Sequence, residues 1–234
     1  MRDIRNLLVI KWAIFIVALI GLVGGTIFVF TGRMPEEAKV PEEPKIEMRT
    51  DIKVVIDPGH GGKDSGTHDG HGVLEKDITL DIGLRMRDFL HKQGIPVIMT
   101  RETDEDLSDI DGRGRHLRDL QGRVKIIDQG TIAISIHINY ISDPQENGAV
   151  VFYAKGSEQG EVVANKVLQA LSSVQHLNHD FPVPRSNLYI LSKSQIPIVL
   201  VEVGFISNAE DKQKLQDPTY LQTIAEALGK AIID

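Results

Sequence analysis

The sequence contains no cysteine among its 234 residues. Disulfide bonds and thiolate metal sites are therefore excluded, and histidine and carboxylate side chains remain as ligands for any transition metal. An excess of basic residues is also missing, because the net charge is −7. A nucleic-acid-binding face needs clustered Lys and Arg, so we expect no nucleic acid partner. The chain also has no internal repeat, and its length suits one globular domain with an appendage.

The appendage is an uncharged apolar run near the N-terminus. Residues 12–30, WAIFIVALIGLVGGTIFVF, form a stretch of 19 residues, close to the ~20 that a helix needs to span a bilayer. Arg2, Arg5 and Lys11 precede it, which predicts a cytoplasmic N-terminus at residues 1–11 and an extracytoplasmic remainder. We therefore expect a single-pass transmembrane anchor in the cell membrane. The main alternative is a cleaved signal peptide, which would give a secreted protein.

A linker and one folded domain follow the apolar run. Residues 31–51 are rich in Pro and Glu and poor in aromatic residues, so they cannot bury enough surface to offset the entropy of ordering. We expect a tether there. The folded domain then comprises residues 52–234, and no second module is visible.

Runs rich in Val and Ile alternate in this domain with segments of helical period, a pattern typical of the α/β class. We predict a single three-layer domain, with helices on both faces of a central, mostly parallel, twisted sheet. The predicted strands are Lys53–Ile56, Ile95–Thr100, Thr131–Asn139, Gly148–Ala154 and Pro197–Val203. The predicted helices are Glu75–Gln93, Ser157–Val174, a short one after Asn208, and a final one for which Asp217 is the N-cap and Pro218 the first residue.

Two segments present histidine in unusual surroundings. VVIDPGHGG, residues 54–62, places His60 among three glycines, which suggests that another group, such as a metal ion, approaches the imidazole closely. In AISIHINY, alternation along a strand places isoleucines on one face and Ser135, His137 and Asn139 on the other. A lone buried histidine bonded to a hydroxyl is the alternative for His137. Three polar groups in register favour a functional face.

Glu75, in GVLEKD, lies at or just before the start of a predicted helix. A carboxylate is favoured there by the helix dipole alone, so Glu75 taken singly is more simply structural. Together, however, His60, Glu75 and His137 form a His₂Glu donor set. This ligand type holds catalytic zinc and leaves a fourth position to water.

Glu202 interrupts the apolar strand of IPIVLVEVGFISN. A strand buried on both faces cannot hold an ionised carboxylate without a partner, so Glu202 should meet a cation or a catalytic proton. A structural salt bridge is the alternative.

Other histidines are left outside the ligand set. His68 and His71 lie among Gly and Asp, which is typical of a solvated loop. No role is predicted for His91, His116, His176 and His179.

The motifs DPGHGG, EKD, SIHIN and VEVGFISN resemble, in order and spacing, the zinc-dependent N-acetylmuramoyl-L-alanine amidases that cut bacterial peptidoglycan. The resemblance covers Ile52–Asp234. It implies that His60, Glu75 and His137 bind Zn²⁺ and that Glu202 is the catalytic carboxylate, which takes a proton from water and delivers it to the departing amine. The sequence leaves open whether Asp57, Ser135 or Asn139 orients a ligand imidazole.

The layout of one anchor and one domain is similar to that of the germination-specific amidases of spore formers. That resemblance implies a peptidoglycan substrate and a role in spore-cortex remodelling, with any activating protein partner unknown. The stretch between His137 and Glu202 has room for one ordinary helix. We therefore expect no additional inserted helix that blocks access to the zinc site. Other zinc peptidases or deacetylases, and a non-catalytic wall-binding protein, are the competing interpretations.

Three features bear on the resemblance elsewhere in the chain. The segment Ser108–Gly122 is longer and more charged than the usual loop of the family. Asp128 stands where members often have Asn. Asn187–Leu191, NLYIL, resembles the strand that precedes the final catalytic strand.

Overall fold

Strands and helices alternate through the chain, as expected for the α/β class. The structure is a computed structural model that describes residues 52–108 and 110–233. Its strands are β1 (Val54–Pro58), β2 (Val97–Met99), β3 (Ile132–Asn139), β4 (Val150–Ala154), β5 (Val183–Arg185) and β6 (Ile198–Phe205). Its helices are α1 (Glu75–Lys92), α2 (Arg115–Ile127), α3 (Glu158–Ser172), α4 (Tyr189–Lys193), α5 (Ala209–Lys214) and α6 (Pro218–Ile233).

The strands form one mixed sheet in the order β2-β1-β3-β6-β4-β5. Only the pairing of β4 with β6 is antiparallel, and the remaining pairings within this sheet are parallel. The prediction of a mostly parallel sheet is therefore confirmed. Because β1, β3 and β6 run in the same direction side by side, their carboxyl ends lie at one edge of the sheet. Polar side chains at those ends are brought together there.

Helices cover both faces of the sheet. On one face α1, α3 and α6 share an apolar core with the isoleucines of β3, and Ile82, Leu171 and Ile224 are fully buried in it. On the other face α2 and α4 pack through Ile127 and Ile190. The three-layer arrangement follows from these two separate apolar clusters.

Strand β3 shows the alternation that the sequence predicts. Ile134, Ile136 and Ile138 join the core below α1, α3 and α6. Ala133 belongs to the opposite cluster, and the Ser135 hydroxyl on that side bonds Asp57. The side chain of His137 is therefore directed away from the isoleucine core, at the carboxyl end of the strand.

The helix caps also agree with the sequence. The Ser157 hydroxyl accepts a hydrogen bond from Gly160 N at the start of α3. Asn208 accepts hydrogen bonds from two backbone N–H groups at the start of α5. Asp217 Oδ1 accepts one from Thr219 N, and α6 begins at Pro218.

Two predictions about local structure were wrong. Asn187–Leu191 is not a strand, because its second half belongs to the short helix α4, where the adjacent residues Ile190 and Leu191 are both buried. Neighbouring buried side chains fit a helix rather than a period of two. Ser108–Gly122 is not a loop throughout, since Arg115 onward forms the first part of α2.

Two strands differ from the sequence-based expectations. β2 begins at Val97, after Pro96, and is shorter than predicted. The edge strand β5 was not predicted, because its three residues include Pro184 and carry almost no pattern.

Asp128 lies at the C-terminal end of α2, and its carboxylate accepts a hydrogen bond from Gln195 N.

The predicted apolar span, residues 12–30, and the predicted linker, residues 31–51, lie outside the described residues. Within residues 52–108 and 110–233, no helix combines the length and the apolar content that crossing a bilayer requires.

Candidate metal centre

His60, Glu75 and His137 meet at the carboxyl edge of the sheet. His60 follows β1, Glu75 is the first residue of α1, and His137 lies near the end of β3. Glu75 Oε1 is 3.1 Å from His60 Nε2 and 2.9 Å from His137 Nδ1. One ligand atom from each residue lies within 4.8 Å of the other two. Among the described residues, this is the one group of three or more His, Cys, Asp or Glu side chains placed to share a metal ion.

The carboxylate of Glu75 is the buried centre of this group, with only 3% of its side chain exposed. Oε1 also accepts a hydrogen bond from Ile138 N, and Oε2 accepts one from Thr67 N. Burial alone would raise the pKa of Glu75, but its contacts with His137 and His60 outweigh that effect and lower the pKa to about 2. The side chain is therefore an anion that bridges two imidazoles.

His60 has a strained backbone. Its φ of 61° is the only left-handed value at a non-glycine residue in the described part of the chain, a conformation that costs free energy and is concentrated at functional sites. The fully buried Arg123 donates a hydrogen bond to the His60 carbonyl oxygen. The loop conformation is thus held by a buried guanidinium.

The ring of His60 lies between two carboxylates, those of Glu75 and Asp64. His60 Nδ1 is 3.0 Å from Asp64 Oδ2. Burial disfavours the charged imidazole, yet Asp64 and Glu75 together raise the pKa of His60 to about 10. The same contact holds the pKa of Asp64 well below its usual range.

His137 packs against the backbone of Gly59. A Cβ atom at residue 59 would lie 2.4 Å from His137 Cε1, which is far inside van der Waals contact. Gly59 therefore leaves the space that the ring of His137 occupies. The two imidazole rings are edge to face, with centroids 4.9 Å apart.

Glu202 lies beside His137 on the neighbouring strand, because the two residues are paired in the register of β3 and β6. The residue is partly exposed, but its Oε2 atom is buried and has no hydrogen-bond partner among the described residues. Burial raises the pKa of Glu202 to about 7, although His137 opposes the shift and Glu75 adds to it. No Lys or Arg in the described ranges pairs with Glu202, so the structural salt bridge considered above is not seen.

A buried charged network lies below the site. Asp57 accepts hydrogen bonds from Thr100, Ser135 and Arg123. Arg101 donates to the carbonyl oxygens of Pro58 and Gly59, and so fixes the loop that precedes His60.

The sequence left open whether Asp57, Ser135 or Asn139 orients an imidazole, and in the described part of the chain none of the three bonds an imidazole. Asp57 and Ser135 bond each other, and Asn139 accepts a hydrogen bond from Tyr140 N. Asp64 contacts His60 instead.

Sequence reasoning missed Asp64 and Arg123. An acidic residue four positions after His60 in a glycine-rich loop was the available signal for Asp64. No signal in the sequence was available for Arg123, because its partner Asp57 is 66 residues away along the chain. His68 and His71 lie outside the donor set and are exposed, as predicted.

The donor set fits a zinc ion. Zinc bonds imidazole nitrogen and carboxylate oxygen at about 2.0–2.2 Å, so neighbouring ligand atoms in a tetrahedral site are about 3.3 Å apart. The two separations at Glu75 Oε1, 3.1 and 2.9 Å, are close to that value. A cation at this place would also compensate the free-energy cost of burying the Glu202 Oε2 atom, which has no hydrogen-bond partner among the described residues.

Comparison with known proteins agrees with this geometry. The family model described as N-acetylmuramoyl-L-alanine amidase matches residues 54–234. The chain belongs to this amidase family. It is 36% identical over 185 residues to the germination-specific N-acetylmuramoyl-L-alanine amidase of Bacillus subtilis, a match that covers 77% of this chain and 78% of the relative. It is 32% identical to the amidase LytC of the same organism, over 75% of this chain and 34% of LytC.

Solved structures of amidases have the same fold. The CwlD amidase from Clostridioides difficile, solved in complex with the GerS lipoprotein, is 32% identical, with a TM-score of 0.72 over 77% of this chain and 96% of that one. The amidase AmiC2 of Nostoc punctiforme is 34% identical, with a TM-score of 0.66 over 78% of this chain and 95% of that one. The protein is thus an enzyme of the N-acetylmuramoyl-L-alanine amidase class.

Gly59→Ala in this amidase should weaken zinc binding. The new Cβ would displace the His137 ring, and we expect the affinity for zinc to fall about tenfold or more, since small misplacements of ligands are costly. Competition with a chromophoric chelator measures the affinity. Val162→Ala is the control, because the Val162 side chain lies on α3 and the residue is 58% exposed. Unchanged affinity in Gly59→Ala would contradict the assigned position of His137.

Zinc binding by the amidase should release protons at neutral pH. The pKa of His60 in the metal-free protein is raised to about 10, so the ring is protonated at pH 7 and must lose that proton to bind a metal. Affinity should therefore rise by about tenfold for each pH unit between pH 6 and 8. Calorimetry in two buffers that differ in ionisation enthalpy measures the release. A binding enthalpy that is the same in both buffers would count against this prediction.

Proposed function

We propose that this amidase is zinc-dependent and hydrolyses the amide bond between the lactyl group of N-acetylmuramic acid and the L-alanine of the peptidoglycan stem peptide. The observation that carries the proposal is the convergence of His60, Glu75 and His137 on one point, with the unpartnered carboxylate of Glu202 beside them. Membership of the amidase family gives the bond that is cut.

His60, Glu75 and His137 would hold the zinc ion. When bound, zinc acts as a Lewis acid toward a carbonyl oxygen and lowers the pKa of water toward neutrality. Glu75 is already anionic and fixed by backbone N–H groups of Thr67 and Ile138. It therefore offers a preformed negative ligand whose position does not depend on the ion.

Glu202 is suited to move protons in this reaction. Amide hydrolysis requires a base that removes a proton from water and an acid that protonates the amine as it leaves. In the metal-free protein, burial raises the pKa of Glu202 to about 7, so the carboxyl group can both accept and release a proton near neutral pH. Its Oε2 atom has no hydrogen-bond partner in residues 52–108 and 110–233, so it is free to accept the proton.

The site is open to solvent from the side of the imidazoles. The side chains of His60 and His137 are 21% and 17% exposed. Between β3 and β6 the chain forms two strands, the helix α3 and the short helix α4. We infer that no segment in this stretch plugs the site.

We further propose a role in the cell wall or the spore cortex, and a protein partner. One relative of this chain is named as germination-specific, and the CwlD relative was solved with a lipoprotein. The apolar run at residues 12–30 and the preceding basic residues support a membrane anchor that places residues 52–234 outside the cytoplasm. Residues 31–51 would then be the tether.

Product analysis distinguishes this proposal from the other zinc hydrolases. The full-length chain is incubated with purified peptidoglycan, with and without a chelator, and the new ends are identified by mass. We expect free L-alanine amines and intact lactyl acids, and no product when zinc is removed. Free glucosamine amines would indicate a deacetylase, and new ends within the peptide would indicate a peptidase. No product at any zinc concentration would favour a non-catalytic wall-binding protein.

Glu202→Gln should separate catalysis from metal binding. The amide cannot take a proton, so turnover of muropeptides should fall by ~10² or more, the usual scale for a general base, while zinc occupancy stays nearly full. His137→Ala should instead lose the metal. Glu210→Gln is the matched control, because the Glu210 side chain is 74% exposed on α5 and does not belong to the donor set. If Glu202→Gln turns over muropeptides at the parental rate, Glu202 is not the residue that transfers the proton.

A further inference from the structure

Asp64 contacts His60 on the side of the ring that faces away from the proposed zinc ligands. His60 Nε2 lies 3.1 Å from Glu75 Oε1, within the donor set, whereas His60 Nδ1 lies 3.0 Å from Asp64 Oδ2. Both ring nitrogens are thus engaged, one by each carboxylate. An imidazole held at both nitrogens has a fixed orientation, and when Nε2 gives up its proton to bind a metal, the remaining proton is on Nδ1.

The backbone fixes Asp64 itself. Gly61 N donates to the Asp64 carbonyl oxygen at 2.9 Å, and Asp64 N donates to the Gly61 carbonyl oxygen at 3.0 Å. Asp64 Oδ1 accepts a further hydrogen bond from Gly66 N at 3.1 Å. Main-chain groups therefore hold both the backbone and the carboxylate of Asp64, and the side chain is only 24% exposed.

His60 needs such support because no regular element holds its ring. The residue follows β1 in a left-handed conformation, with φ of 61°. Its carbonyl oxygen is held by Arg123, but that contact leaves the rotation of the side chain undetermined. Among the described residues, Asp64 is the one carboxylate outside the donor set that lies within hydrogen-bond distance of the ring.

We propose that Asp64 is a positioning residue for the metal centre. By accepting a hydrogen bond from the His60 Nδ1–H group, it keeps that proton on Nδ1 and leaves the Nε2 lone pair for the proposed zinc position. This inference rests on the proposed function, since it assigns a task only if His60 is a ligand. Residues that orient a ligand histidine in this way typically contribute a factor of about 10 to 100 in metal affinity.

His116 supplies a matched control. Its Nδ1 lies 3.5 Å from the same Asp64 Oδ2 atom, on α2, and its side chain is 65% exposed. It is not one of the proposed ligands. If Asp64 acted only by bracing α2, loss of the His116 contact would lower the zinc affinity as well. If Asp64 acts through His60, loss of His116 has no effect.

The test compares zinc affinity in the full-length chain and three variants, measured by competition with a chromophoric chelator. Asp64→Ala should bind zinc about 10- to 100-fold more weakly than the parent, and His116→Gln should stay within about twofold. Asp64→Asn preserves the size of the side chain and keeps the protein testable if Asp64→Ala does not fold. We expect the Asn variant also to lose affinity, because its amide is a weaker acceptor for the imidazole N–H.

A second readout follows the ring directly. In zinc-loaded parent protein, the proton on His60 Nδ1 should give a downfield ¹H NMR signal, typical of a hydrogen bond to a carboxylate. In zinc-loaded Asp64→Asn that signal should move upfield, which a general loss of stability would not produce.

The outcomes separate this inference from the proposed function. Zinc affinity in Asp64→Asn within about twofold of the parent, with an unchanged signal of the His60 Nδ1 proton, overturns the positioning role alone. Equal losses in Asp64→Asn and His116→Gln also overturn it. A parent chain that binds no zinc overturns the proposed function and this inference with it.

Discussion

The site depends on one buried carboxylate, that of Glu75, at which three separate parts of the chain meet. Ionised carboxylates are costly to bury without compensation. Here the compensation comes from the backbone N–H groups of Thr67 and Ile138 and from the imidazoles of His60 and His137. Together these groups keep the buried carboxylate of Glu75 ionised. The loop after β1, the start of α1 and the end of β3 are therefore coupled through a single side chain.

The parallel sheet makes this convergence possible. β1, β3 and β6 lie side by side with their carboxyl ends at one edge, so residues that are distant in the sequence become neighbours. The register of β3 and β6 places Glu202 directly beside His137. Below them, the buried side chains of Arg101 and Arg123 bind carbonyl oxygens of the loop that carries His60. Rigid strands and buried guanidinium groups thus position both the donor set and the carboxylate proposed to move protons.

Much of this arrangement could be predicted from local patterns. The alternation in β3 identified the polar face of His137, and the apolar run around Glu202 marked that carboxylate as anomalous. What could not be predicted depends on contacts between distant segments. Arg123 contacts Asp57, which is 66 residues away along the chain. The sequence predicts a strand where α4 begins, because a short apolar segment fits the period of a strand or of a helix. Asp64 was overlooked because a solvated turn and a ligand-orienting carboxylate look the same in a glycine-rich sequence.

The central claim is that two imidazoles and one carboxylate bind a single zinc ion. X-ray absorption at the zinc edge of the loaded full-length chain tests it most directly, because imidazole rings give a characteristic scattering pattern. The account predicts two imidazole nitrogens at about 2.0–2.1 Å, with oxygen atoms in the remaining positions. A spectrum that requires three imidazoles, or none, would contradict the assignment of His60, Glu75 and His137 as the ligands.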